Sequence, residues 1–236
     1  MQDTESGSSP NLMWEIVPGA PLVIAFTGMA HGLNELANFE FVKSTKRFEW
    51  SKIFCRDPNH AFYHLGIDDR TKNANDLVIR LRELIVEMFP SRITCIGVSA
   101  GGYAALLFGH LLKADTVHAI GPQVVLHEQW GIEHNDPTIY GSAAQLNYAG
   151  LAPENDFRDL PKILSSYNGK TKYFIHVGKN CQQDLNHAEE LVGCSGMELV
   201  LHPCPAHACA GPLLRDSGQL ENILLGEPYE DSGTKS

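Results

Sequence analysis

Short apolar runs alternate along this chain with longer stretches in which apolar residues recur every three or four positions. The runs fall at 21–26, 52–55, 93–98, 116–120, 173–177 and 198–201. Each is mostly continuous rather than alternating, which is the pattern of strands covered on both faces. Between them, Leu77, Leu81, Leu84, Ile85 and Met88 mark one face of a helix that Asn75-Asp76 would cap and Pro90 would end. Further helices are expected at 104–112, 185–192 and 212–225, with a shorter one at 159–167. Strand and helix in regular alternation predict an α/β protein: a mostly parallel open sheet with helices on both faces.

The rhythm breaks at 122–161, where Trp130, Tyr140 and Tyr148 sit among many polar residues, glycines and prolines. An insert over the strand ends is expected there, of the kind that forms lids or substrate walls. Residues 1–11 and 227–236 have too little apolar content to repay ordering, so both are expected to be mobile ends of a single domain spanning 12–226. No internal repeat is evident.

The strongest local signal is Gly97-Val98-Ser99-Ala100-Gly101, preceded by an apolar run and followed at once by Gly102 and an Ala-rich helical stretch. A G-x-S-x-G segment between strand and helix sets its serine on a cramped turn where neighbouring side chains must be small. The following helix N-terminus favours negative charge developing beside that serine. Ser99 is therefore the candidate nucleophile.

A serine hydroxyl needs a base, and the base in turn needs an orienting acid. His207 lies past the last expected strand, in the loop His202-Pro203-Cys204-Pro205-Ala206-His207, and is the candidate base, with His202 its competitor. Asp184 lies in the loop after the 173–177 run, giving the chain order Ser, Asp, His. Asp184 has a competing role as a simple helix cap; Glu189, Asp156 and Asp159 are the less favoured acids. For the oxyanion, the backbone N–H of Ala100 and that of Met29, in the glycine-containing loop after 21–26, are the expected donors.

These residues resemble the α/β-hydrolase superfamily over roughly 21–225. Gly97-Val98-Ser99-Ala100-Gly101 is similar to its nucleophile elbow, Thr27-Gly28-Met29 stands where many members have a His-Gly-X oxyanion segment, and Asp184 and His207 stand in its acid and base slots. Thr27 departs from the common histidine. The shortness of the chain suggests that the first antiparallel strands are reduced, with residues 11–17 supplying one of them. The resemblance implies acyl transfer and the α/β-hydrolase fold, with no cofactor.

Composition narrows the partners. The 236 residues carry 28 acidic against 18 basic side chains, a formal charge of -10 with no basic patch, so nucleic acid is not an expected partner. No apolar run reaches the roughly 18 residues of a membrane span, and the first ten residues do not read as a signal peptide. Six cysteines without a CxxC pair or dense spacing read as reduced thiols, and a cytoplasmic protein is expected. His202, Cys204, His207 and Cys209 are close enough to suggest zinc, but no second ligand pair stands at finger spacing and no metal site is expected. The glycine-rich 97–102 segment lacks the pattern of a phosphate loop.

Arg56, Asp57, Tyr63 and His64 follow the second parallel-type run and are candidate pocket residues, with a structural Arg56–Asp57 ion pair as the competing reading. Phe39, Phe41, Phe48 and Trp50 are expected to pack in the core. The expectation is thus a serine hydrolase acting on a small-molecule ester or thioester. An acyltransferase, peptidase or lyase using the same three residues, or a non-catalytic binding protein on the same fold, stands as the alternative. The sequence carries no signal of oligomeric state.

Overall fold

The buried runs form strands because nearly every residue in them has a covered face to occupy. In β3 (Leu22–Phe26), Leu22, Ile24 and Phe26 enter one apolar cluster while Val23 and Ala25 enter another on the opposite side, and all five are buried. The computed structural model describes residues 5–29, 36–166 and 169–227. They build an eight-stranded sheet from β1 (Glu5–Ser9), β2 (Leu12–Ile16), β3, β4 (Ser51–Cys55), β5 (Ile93–Val98), β6 (Thr116–Ile120), β7 (Lys172–Gly178) and β8 (Met197–His202). The order is β1-β2-β4-β3-β5-β6-β7-β8; β2 pairs antiparallel with β1 and β4, and all other neighbours are parallel.

Helices cover both faces. The larger cluster packs the sheet against α2 (Ala74–Met88), α3 (Ala100–Leu111), α6 (Leu160–Leu164) and α7 (Gln182–Glu189). The smaller one packs it against α1 (Val42–Thr45), α8 (Ala210–Asp216) and α9 (Gln219–Leu225). Phe39, Phe41, Phe48 and Trp50 border that second cluster, as expected of packing residues.

Several boundaries differ from expectation for local reasons. The cap of α2 is Asn73, whose side chain accepts from the Asp76 N–H at 2.9 Å, while Asn75 turns outward to the Glu154 carbonyl. The stretch 212–225 is two helices, because Gly218 at φ +75° breaks the path between α8 and α9. Residues 5–11, expected to be mobile, hold the paired strand β1 and its turn into β2, so both antiparallel strands are present at five residues each. Edge pairing needs backbone bonds rather than apolar side chains, and Gly7 leaves space for the Trp14 ring, into which a Cβ would project. Of the expected mobile tail, Glu227 is described, its N–H bonding the Asn222 carbonyl at 3.0 Å; residues 1–4 and 228–236 lie outside the described residues, as does Tyr167 at the end of the 159–167 helix.

The expected insert contains α4 (Glu128–Glu133), α5 (Pro137–Ala149) and a single 3-10 turn at Pro153–Asn155. Buried Asp136 accepts from Gln183 at 3.0 Å and faces His187 Nε2 at 3.3 Å, and the Trp130 indole donates to Glu190 at 2.6 Å. These bonds tie the insert to α7 and the turn after it. Among the described residues, no helix is long and apolar enough to cross a membrane.

Candidate active site

The turn at Ser99 follows from the packing of its neighbours. β5 ends at Val98 and α3 opens at Ala100, leaving Ser99 at φ 56°, ψ −121°, a positive-φ conformation that a non-glycine residue adopts only under constraint. Its N–H donates to the Ile120 carbonyl at 2.8 Å, which anchors the turn to the end of β6. A Cβ on Gly97 would collide with the Gly101 carbonyl, and a Cβ on Gly101 with the Phe26 carbonyl. The small residues of the motif are thus required by close backbone approach on both sides of the serine.

Three side chains then form one hydrogen-bonded chain. Ser99 Oγ lies 2.9 Å from His207 Nε2, and His207 Nδ1 lies 2.5 Å from Asp184 Oδ1. Because a carboxylate faces Nδ1, the proton is assigned to that nitrogen, and the Nε2 lone pair is directed at the serine hydroxyl. Asp184 is 1% exposed, and its second oxygen accepts the Ala208 N–H at 2.9 Å. It lies within the first turn of α7 rather than at the cap, which is Cys181, so its carboxylate serves His207 and not the helix end.

His207 sits in the loop between β8 and α8. Cys204 and Cys209 form a disulfide that closes this loop. That pairing corrects the expectation of six reduced thiols; the turn in which the Cys209 N–H bonds the Ala206 carbonyl at 3.2 Å carries the chain back toward Cys204. His202, the competing base, points into the scaffold: His118 Nδ1 meets His176 Nε2 at 3.1 Å, and His176 Nδ1 meets His202 Nε2 at 3.1 Å. The four residues considered for zinc are therefore divided among a disulfide, a buried histidine row and the serine–histidine pair. Among the described residues, no group of three or more His, Cys, Asp or Glu side chains is arranged to hold a metal.

Gln123, which follows β6, was not singled out in the sequence. It is 1% exposed; its amide oxygen and nitrogen each lie 3.3 Å from Ser99 Oγ, and its nitrogen is also 3.3 Å from His207 Nε2. In the sequence it stands just beyond a strand end, in the segment Ala119-Ile120-Gly121-Pro122-Gln123, which is similar to small hydrolases but assigns the glutamine no role.

Ala100 opens α3, so its N–H belongs to the first turn, where backbone donors lack partners within the helix. Met29 lines the same cleft of about 390 Å³ as Ser99 and His207, together with Phe41, Val98 and Leu220. The strand end before Met29 is held on two sides. The Thr27 carbonyl accepts from Tyr63 Oη at 2.8 Å, and the Gly28 N–H donates to Glu40 at 3.0 Å. Burial pushes the Glu40 carboxyl up in pKa, against the opposing pull of that Gly28 N–H.

The four candidate pocket residues lie in the scaffold instead. Arg56 donates to the Pro10 carbonyl and Asn11 and stacks over Phe39, 4.8 Å from the ring centre. Asp57 makes no pair with it; its carboxylate accepts the N–H groups of Asn59, Ala61 and Tyr63, and burial raises its pKa despite those bonds. The Tyr63 hydroxyl is spent on Thr27 and Cys55, and His64 bonds Ala61 and the Tyr103 hydroxyl. An arginine and an aspartate at a strand end read alike whether they face ligand or backbone, and here backbone carbonyls and amides claim both. A larger cavity of about 750 Å³ lies away from Ser99, against β1, β2 and β4, where Lys52 pairs with Glu15.

Comparison with protein-family models and with curated sequences finds no match. Solved structures do match along nearly the whole chain. The capsule O-acetyltransferase of Neisseria meningitidis serogroup A is similar with a TM-score of 0.64 at 16% identity, covering 95% of each chain. The fluorophosphonate-binding serine hydrolase F of Staphylococcus aureus is similar with a TM-score of 0.60 at 13% identity, covering 95% of this chain and 96% of that one. An α/β-hydrolase enzyme from the metagenome of sediments of the Mar Chica lagoon, Morocco, is similar with a TM-score of 0.54 at 16% identity, covering 94% and 98%.

Proposed function

We propose that this chain, which has the α/β-hydrolase fold, is a serine hydrolase of small carboxylic esters or thioesters. The observation that carries the reading is the continuous path from Ser99 Oγ through His207 to Asp184, at 2.9 and 2.5 Å, set on a positive-φ turn at the mouth of a cleft. In the first half-reaction His207 Nε2 takes the hydroxyl proton, Ser99 Oγ attacks the acyl carbon, and Asp184 stabilises the imidazolium. The N–H groups of Ala100 and Met29 receive the oxyanion. The imidazolium then protonates the leaving group, and water clears the acyl-enzyme by the reverse sequence. A cleft of about 390 Å³, with Phe41, Val98 and Leu220 beside Glu40, Ser44 and Arg215, suits a small acyl group with both apolar and polar contacts.

Turnover of acetyl and butyryl esters and thioesters by the purified protein tests the reading, with Ser99→Ala as the control. Activity in the wild type, lower by several orders of magnitude in the variant, supports it. Equal activity in both removes Ser99 from the chemistry. The same residues would serve transfer to an acceptor other than water. The likeness in fold to an O-acetyltransferase makes an added alcohol acceptor a useful second arm of the assay.

A further inference from the structure

Gln123 is a buried polar side chain whose amide lies against both reacting groups. Among the described residues its hydrogen-bond partners are Ser99 Oγ and His207 Nε2, each at 3.3 Å. Its backbone is fixed on either side: the Gly121 N–H donates to the His176 carbonyl at 2.8 Å, and the Val124 N–H bonds His187 Nδ1 at 3.2 Å. The backbone on either side of Gln123 is thus tied to β7 and α7, and its buried amide meets the serine and the histidine from that anchored position.

In the resting site the one hydrogen of the serine hydroxyl is directed at His207 Nε2, 2.9 Å away, and Gln123 Oε1 at 3.3 Å has only the weaker claim on it. Once Ser99 is acylated, Oγ becomes an ester oxygen with no proton to give, and the buried Gln123 Oε1 is left with no donor among the described residues. An unsatisfied buried acceptor is costly, so a molecule that supplies a hydrogen at that point is favoured. At the same moment His207 Nε2 has passed its proton to the leaving group, and its lone pair faces the Gln123 amide nitrogen only at a long 3.3 Å. One water satisfies both groups, giving one hydrogen to His207 Nε2 and the other to Gln123 Oε1.

We propose that Gln123 is a catalytic residue of the second half-reaction, orienting the deacylating water. This rests on the serine hydrolase reading above and deepens it. The water's first proton passes to His207 Nε2 as its oxygen bonds to the acyl carbon. The bond from acyl carbon to Ser99 Oγ then breaks, His207 returns the proton to Oγ, and the carboxylic acid leaves. An alcohol has a single O–H, which His207 requires, so it cannot also donate to Gln123. Gln123 therefore favours hydrolysis over transfer to alcohols.

The test uses p-nitrophenyl acetate with the whole protein, following the burst of nitrophenol for acylation, the steady state for deacylation, and the ratio of methyl acetate to acetate in added methanol. For Gln123→Met, which keeps the length of the side chain without its amide, acylation is expected within about threefold of wild type. Deacylation by water is expected to slow by about tenfold or more, and the methyl acetate ratio to rise by a similar factor. Gln123→Glu, which retains an acceptor oxygen, is expected to return the ratio toward wild type. Equal slowing of both steps with an unchanged ratio would overturn the proposal. The wild type also gives a measurement that needs no variant: per mole, water should outcompete methanol, and a preference for methanol would overturn the proposal as well. A wild type that forms no acetyl-Ser99 by intact mass would instead sink the hydrolase reading itself.

Discussion

His207 Nδ1 lies 2.5 Å from an oxygen of Asp184, and the other oxygen of that carboxylate accepts the N–H of Ala208, the residue that follows the histidine. One buried carboxylate thus fixes both the ring and the backbone of the loop that carries it. Asp184→Asn keeps the shape while presenting a group that no longer selects the Nδ1–H tautomer. Its kcat on an ester substrate should fall by about three to four orders of magnitude, with KM changed far less. A fall of less than about tenfold, measured by steady-state kinetics, would assign the orienting role elsewhere.

The conformation of Ser99 stores strain that a glycine would not feel. Its φ of 56° and ψ of −121° lie where glycine is at ease, and residues held there cost about 1–3 kcal/mol. Ser99→Gly should abolish turnover yet raise folding stability by about 1 kcal/mol in urea denaturation, whereas Ser99→Ala keeps the backbone strain and should leave stability nearly unchanged. Equal stability of the glycine and alanine variants would show that the turn is not strained.

The Cys204–Cys209 disulfide brackets His207 in sequence. Closing so short a loop contributes about 2 kcal/mol in the chain-entropy description, and here it restrains the segment that aims the imidazole. Cys204→Ser with Cys209→Ser should lower kcat by about tenfold while leaving the fold intact by circular dichroism, since a loosely held base loses its alignment with the serine. Dithiothreitol should act on the wild type in the same direction and should do nothing further to the double variant.

How far the sequence could be read depended on whether a residue's neighbours are local. The strands β3 to β7 are legible because their covered faces leave continuous apolar runs, and β8 because its run is apolar although Leu199 and Leu201 are exposed at the sheet edge; Ser99, Asp184 and His207 come within hydrogen-bond reach because strand ends in a parallel sheet converge on one edge. What Arg56 and Gln123 touch is decided by residues distant in sequence, whereas Asp57 is claimed by the turn that follows it. Arg56 reaches Pro10, and Gln123 reaches Ser99 and His207 from another strand, so neither role leaves a local pattern. β1 leaves no apolar pattern because an edge strand of Glu, Ser and Gly is held mainly by its backbone pairing with β2.

Buried histidines make stability depend on pH. Burial holds His64 at a pKa of about 4 and His118 at about 3, and drives His176 well down as well. Each is neutral in the folded protein and takes up a proton on unfolding below its ordinary value near 6.5. The unfolded chain binds more protons there, so the contribution is fully present above about pH 6.5 and is lost progressively as pH falls toward 4. Urea denaturation at pH 7, 6, 5 and 4.5 should show stability falling steadily, and His64→Gln should make that slope shallower by about one proton. A stability independent of pH across this window would contradict the buried neutral state.

The central claim is that His207 makes Ser99 a nucleophile, and intact-mass analysis after exposure to a fluorophosphonate tests it most directly. The expected result is a single adduct, mapped to Ser99, that is absent from Ser99→Ala and strongly slowed in His207→Ala. A folded wild-type protein that takes up no adduct, or takes it up equally in the Ser99→Ala variant, would contradict the claim.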